Sequence, residues 1–144
     1  MQCIFAAAIT VAKARYVLNT CLIFTDLGTA WIRQLAVDES FLQSFILMCQ
    51  LYFDFARGNN TSYDSQVSVL KTIQLLREKL SLEDRDSQVS DPTLFVVLNL
   101  AVHAFIHGDD KSSRHHLSGI RRMVDLRGGI TKVTETKMLL ELLR

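Results

Sequence analysis

The sequence predicts an all-α protein, with antiparallel helical hairpins packed as an α-α bundle or array. Three observations carry that expectation. Apolar residues recur every three to four positions along most of the chain, the period of a helix face and not of a strand. A single proline and six glycines leave long stretches without a breaker. Capping residues stand where the apolar runs begin, and glycines stand where they end. With 144 residues one domain is expected. Hydrophobic residues at 49% and charged residues at 22% match ordinary globular usage, which speaks against disorder. A net charge of +1 points to neither a nucleic acid nor an acidic partner.

Residues 1–29 read as a separate N-terminal apolar helical segment, with Val11, Ala14, Val17, Leu18 and Cys21 at helical spacing. The run Ile4 to Ala12, followed by Ala12-Lys13-Ala14, has part of the form of a secretory signal. No Lys or Arg precedes it, so a buried helix is the expectation. Lys13, Arg15 and Asp26 break the run short of a membrane span. Cys3, Cys21 and Cys49 are odd in number and lack CxxC spacing, which argues for free buried thiols and against a disulfide framework or cysteine zinc site. The Asn59-Asn60-Thr61-Ser62 sequons matter only in a secreted chain.

Asp38 is expected to cap a helix running to Phe55, with Glu39 favourably placed in its first turn. Gln43, Gln50, Asp54 and Arg57 form one narrow polar stripe on an otherwise apolar, mostly buried helix that Gly58-Asn59 ends. Asp64 is expected to cap the next helix. Its apolar face is Val69, Leu70, Ile73, Leu76 and Leu80, opposite Lys71, Gln74 and Glu78. Leu82 to Ser90 has the length and charge of a loop. Asp91 as cap and Pro92 at the first helical position start a central helix, apolar from Leu94 to Ile106 except at Asn99 and His103.

Gly108 stops that helix, and Asp109 or Asp110 caps the next one at once, making the two antiparallel neighbours. His116, Leu117, Ile120, Met123 and Val124 are expected to face the central helix, and Gly119 beside them to permit close approach. Gly128 ends this helix, where Arg127 favours the negative end of the dipole and could cap the last carbonyls. Residues 134–144 begin one more helix, with Met138, Leu139 and Leu142 apolar.

Chemistry is sparsely signalled. His103 and His107, four apart, share one side of a helix, as metal ligands often do, and His115-His116 follow the turn. Adjacent helical residues point about 100° apart, so at most one of the latter two can join. No acidic residue lies inside the H-x-x-x-H unit, so the zinc-protease pattern is missing. Locally hydrogen-bonded corner histidines and no metal are the expectation. A metal-binding protein or enzyme using His103, His107 and His116 is the alternative. Lys111, Arg114, Arg121, Arg122, Arg127 and Lys132, offset by Asp109, Asp110 and Asp125, read as a solvated helix face. There is no G-x-S-x-G, no glycine-rich phosphate loop and no pair of carboxylates on one face, so neither catalysis nor a cofactor is expected.

One stretch has a pattern of its own. After an apolar helix come Gly108 and Asp109, then His116, Leu117, Gly119, Met123, Val124, Arg127, Gly128 and Gly129 in the order H-L-x-G-x-x-x-M-V-x-x-R-G-G. This resembles the middle regulatory region of fungal zinc-cluster transcription factors. Trp31 to Phe55 resembles that region's entry into its first buried helix, and Tyr63 to Leu80 the helix that follows. The resemblance implies that residues 30–144 are part of a larger, here truncated, helical regulatory domain. It implies a non-catalytic role in transcription in the nucleus, with the cytoplasm as the alternative. Protein partners of the transcription machinery or a dimer partner are implied, and no membrane. Family members bind DNA through a cysteine-rich zinc cluster, which three scattered cysteines cannot form, so DNA is expected to be reached only indirectly.

Overall fold

The computed structural model describes residues 33–58, 62–82 and 84–131. These form five helices and no strand: α1 (Glu39–Ala56), α2 (Tyr63–Ser81), the single turn α3 (Arg85–Gln88), α4 (Asp91–Ile106) and α5 (Asp110–Leu126). The protein is all-α. The expected helices in residues 1–29 and 134–144, together with Cys3, Cys21, Trp31, Lys132 and the Asn59–Thr61 sequon residues, lie outside the described residues.

Two antiparallel hairpins, α1/α2 and α4/α5, share α4 as their centre, because α4 packs on α1 as well as on α5. The core joins Leu35, Phe41 and Leu47 to Leu76, to Leu94, Phe95, Val96, Val97 and Leu100 of α4, and to Met123 of α5. Phe41 and Phe95 meet across α1 and α4 with ring centroids 6.0 Å apart. α4 is apolar nearly all round because neighbours cover nearly all of it, as expected for a central helix. The stretch Arg85–Ile106 is long and apolar enough to cross a membrane by length and composition, yet 61% of its most apolar 18-residue window is buried in this packing.

The α1 cap is as expected: the Asp38 carboxylate accepts from the Phe41 N–H at 3.1 Å. The rest of α1 is not. Its polar stripe turns inward, with Gln43 and Asp54 buried, while apolar Phe55 is 79% exposed. The reason lies in α2, whose serines supply the partners that a buried carboxylate needs. Asp54 Oδ2 accepts from the Ser62 N–H at 2.9 Å, the Ser62 hydroxyl at 2.9 Å and the Ser65 hydroxyl at 2.6 Å.

That network also decides the start of α2. Ser62 is the cap, its hydroxyl accepting from the Ser65 N–H, and Asp64 is only a first-turn residue. The buried face of α2 is Ser65, Ser68, Thr72 and Leu76, rotated from the leucine-rich face that periodicity suggests. Leu70 is 69% exposed and Leu80 is also exposed, whereas Val69 and Ile73 border the core. Thr72 satisfies its own hydroxyl by donating to the Ser68 carbonyl at 2.7 Å. Lys79 at the end of α2 pairs with Asp38 at the start of α1, closing the far end of the hairpin.

The Leu82–Ser90 connection contains a helical turn, α3, which Asp84 caps by accepting from the Asp86 N–H at 3.2 Å. Ser90, one residue earlier than expected, is the cap residue of α4, and Pro92 sits in its first turn. Asp91 is thereby released for another partner. On the α1 side of α4, buried Asn99 donates to the Ser44 hydroxyl at 3.3 Å, and Ser44 donates to the Phe41 carbonyl at 2.9 Å.

Candidate functional site: the α4/α5 corner

The corner is built by backbone chemistry. Gly108 takes φ +73°, its N–H bonding the Phe105 carbonyl at 3.0 Å, while the Asp109 N–H bonds the Ala104 carbonyl at 2.9 Å. A left-handed glycine here satisfies the carbonyls that α4 leaves unpaired at its end. Asp109 then opens α5 by accepting from the Ser112 N–H at 3.0 Å. The Ser112 hydroxyl first, and this backbone bond second, hold its carboxyl below the usual value. At the far end, Gly128 and Gly129 take φ +100° and +96°, and the Gly129 N–H returns to the Val124 carbonyl at 3.0 Å.

Of the residues expected to face α4, Met123 is buried, and His116, Ile120 and Val124 are half-buried. Leu117 is not among them: it is 50% exposed and does not stitch the corner. Buried Ser113 lies on the packed side instead, one turn before His116. A Cβ on Gly119 would meet Val97 Cγ1 at 4.0 Å, ordinary contact, so the helices approach less closely than the glycine suggests. Lys111, Arg114, Arg121 and Arg122 are exposed, as a solvated face requires.

The Arg127 side chain reaches Asp91 at the start of α4, a partner that local sequence does not indicate. Both side chains are largely buried, at 17% and 10% exposure. The pair was invisible in sequence because its members lie 36 residues apart. The same holds for Asp38 and Lys79, 41 apart, which border a shallow cleft of about 640 Å³ that also touches Gln34, Val37, Leu82 and Ser90.

The histidines divide. His103 and His107 lie on one side of α4's end, with rings stacked at 4.2 Å between centroids and 29° between planes. His107 Nδ1 lies 2.8 Å from the His103 carbonyl. A carbonyl only accepts, so Nδ1 donates. The Nε2 atoms of both rings are buried and have no hydrogen-bond partner. Burial, reinforced by His107, pushes His103 down to about 4, so it is neutral at physiological pH. His116 is also held low, by burial first and by His115 second, with Asp109 opposing. Among the described residues no group of three or more His, Cys, Asp or Glu is arranged to hold a metal, so His116 does not complete a site with His103 and His107. Buried Cys49 has its thiol pushed up to about 11 by burial, which keeps it protonated and unreactive.

No protein-family model, curated protein or solved structure matches the chain.

Proposed function

We propose that the chain is a non-catalytic regulatory and interaction domain of the kind found in fungal zinc-cluster transcription factors, acting through protein contacts in the nucleus. One observation carries the proposal: the ordered series Gly108, Asp109, His116, Leu117, Gly119, Met123, Val124, Arg127, Gly128 and Gly129 that resembles the middle region of that family. The corner gives most of these residues a physical task. Gly108, Gly128 and Gly129 hold left-handed backbone, Asp109 caps α5, Met123 enters the core and Arg127 reaches α4. Such a series specifies a helix corner, which is a scaffold and not a catalyst. On this reading, partners are proteins of the transcription machinery or a second subunit. The three cysteines of this sequence cannot form a six-cysteine zinc cluster, so on this reading these residues reach DNA through such partners.

The test is to tether the full chain to a heterologous DNA-binding domain upstream of a fungal reporter. Transcription should rise or fall several-fold against the DNA-binding domain alone, and the corner-breaking variant Gly128→Val should abolish the change. Reporter output indistinguishable from the control, with the fusion expressed and nuclear, would count against the regulatory reading.

A further inference from the structure

We infer that the exposed face of α5, carrying Lys111, Arg114, Arg121 and Arg122 with Leu117 at its edge, docks an acidic segment of a partner protein. The net charge of +1 for the whole chain conceals a local excess. On a helix surface the neighbours of a residue stand three and four positions away. For exposed Ser118 those neighbours are Arg114, His115, Arg121 and Arg122, and all of them are exposed. Lys111, also exposed, extends the strip by a further turn, giving about 17 Å of cationic surface. Asp110 and Asp125 stand at its two ends. The ion pairs of the described residues, Lys79 with Asp38 and Arg127 with Asp91, use none of these cations. Like charges at helical spacing repel one another, so an anionic partner relieves a standing cost.

Leu117 narrows the chemistry of that partner. It is 50% exposed, lies three residues after Arg114 and four before Arg121, and has no packing task in the corner. An apolar side chain between arginines fits a protein segment that mixes carboxylates with apolar residues. Three of the cations are arginines, whose planar forks take carboxylates in two parallel hydrogen bonds. Nucleic acid fits less well, because α5 has no Phe, Tyr or Trp for a base to stack on. Its few cations, offset by Asp110 and Asp125, also release few counterions. A lipid surface fits poorly too. Leu117 and Leu126 lie about 180° apart around the helix, so no single apolar face enters the bilayer. The class of partner rests on the reading of the chain as a protein-contact domain, whereas the charge pattern does not.

The experiment follows the fluorescence anisotropy of a fluorescein-labelled peptide of four Glu-Leu-Glu-Glu repeats, titrated with the full chain at low ionic strength. Saturable binding is expected, weakening as salt rises. The Arg114→Glu/Arg121→Glu double variant should lose at least about tenfold in affinity, and Leu117→Ser about fivefold. Lys71→Glu/Arg77→Glu, which reverses as many charges on α2, should bind as the native chain does. Every substituted side chain is exposed, so thermal melts should coincide and the comparison is between folded proteins. Absence of saturable binding, native affinity in the α5 variants, or equal loss in the α2 variant overturns the assignment. So does tighter binding to a labelled DNA duplex or to phosphatidylserine vesicles than to the peptide. The assay contains no reporter, so its failure leaves the transcriptional reading standing, and a failed reporter test leaves the surface standing.

Discussion

Arg127, the residue just past α5, sets its guanidinium against the carboxylate of Asp91, the first residue of α4. The pair closes the open end of a hairpin whose other end is the Gly108-Asp109 corner. Each charge also suits its helix end, the carboxylate at an N-terminus and the guanidinium at a C-terminus. Arg127→Ala or Asp91→Ala should cost about 1–3 kcal/mol, between an exposed pair and a fully buried one. A double-mutant cycle by urea unfolding measures it. Losses that simply add, within about 0.5 kcal/mol, would show that the two charges do not act together.

Asp54 should matter more than Asp64, the reverse of what local sequence suggests. Asp54→Ala strips the acceptor from the Ser62 N–H and from the hydroxyls of Ser62 and Ser65. It should cost about 2–3 kcal/mol. Asp64→Ala removes only a first-turn charge from the α2 dipole and should cost under about 1 kcal/mol. Equal losses in chemical denaturation would contradict the assignment of Ser62 as the cap.

Two glycines of the same corner should respond in opposite directions to alanine. Gly108 has open space around a Cβ but a φ of +73°, so Gly108→Ala should cost about 1–2 kcal/mol through backbone strain alone. Gly119 has ordinary helical backbone, and a Cβ there meets Val97 Cγ1 at 4.0 Å. Gly119→Ala should gain up to about 1 kcal/mol of helix propensity, whereas the larger Gly119→Leu should overpack and lose about 1–3 kcal/mol. Thermal melts of the three variants give the order directly. A destabilised Gly119→Ala would mean that α4 and α5 sit closer than described.

Acid should weaken the α1/α2 hairpin at Asp38. Burial alone would raise this carboxyl, but hydrogen bonds from Lys79, Ser40 and the Phe41 N–H, together with the Lys79 charge, outweigh it and hold the group below 3.8. Because the folded value lies below the unfolded one, the unfolded chain takes up the proton first. The stabilisation is whole above the unfolded pKa of about 4 and disappears as pH falls through the folded value. The melting-temperature gap between the native chain and Asp38→Asn should therefore be constant near neutrality and shrink below about pH 4. A gap that stays constant throughout would remove the carboxylate charge from the account.

The parts of the fold that were legible in sequence are those set within a few residues. Asp38 and Asp109 cap their helices through N–H groups three positions on, and Gly108, Gly128 and Gly129 take the backbone that only glycine adopts freely. The apolar run from Leu94 to Ala104 announced its own burial. The i, i+4 spacing of His103 and His107 announced a shared face, though not that both Nε2 atoms would end buried without a partner.

What sequence periodicity misassigned was the side that α1 and α2 bury. Leu70 is hydrophobic enough for the core, yet Ser65, Ser68 and Thr72 occupy the seam. Asp54 is charged enough for solvent, yet it is buried against Ser62 and Ser65. Hydropathy ranks side chains one at a time, whereas a buried carboxylate is tolerated only once its donors have arrived on another helix.

By itself, then, the chain determined an all-α protein, the caps and stops of its corner, and α4 as the central helix. These rest on local hydrogen bonding and on an apolar surface that has to be covered. Tertiary structure alone decided the rotation of α2, the inward turn of Asp54, and the pairing of Arg127 with Asp91 and of Lys79 with Asp38. Each of those joins groups far apart in the chain. Their energy exists only when two helices have already packed, so no local window of sequence contains it.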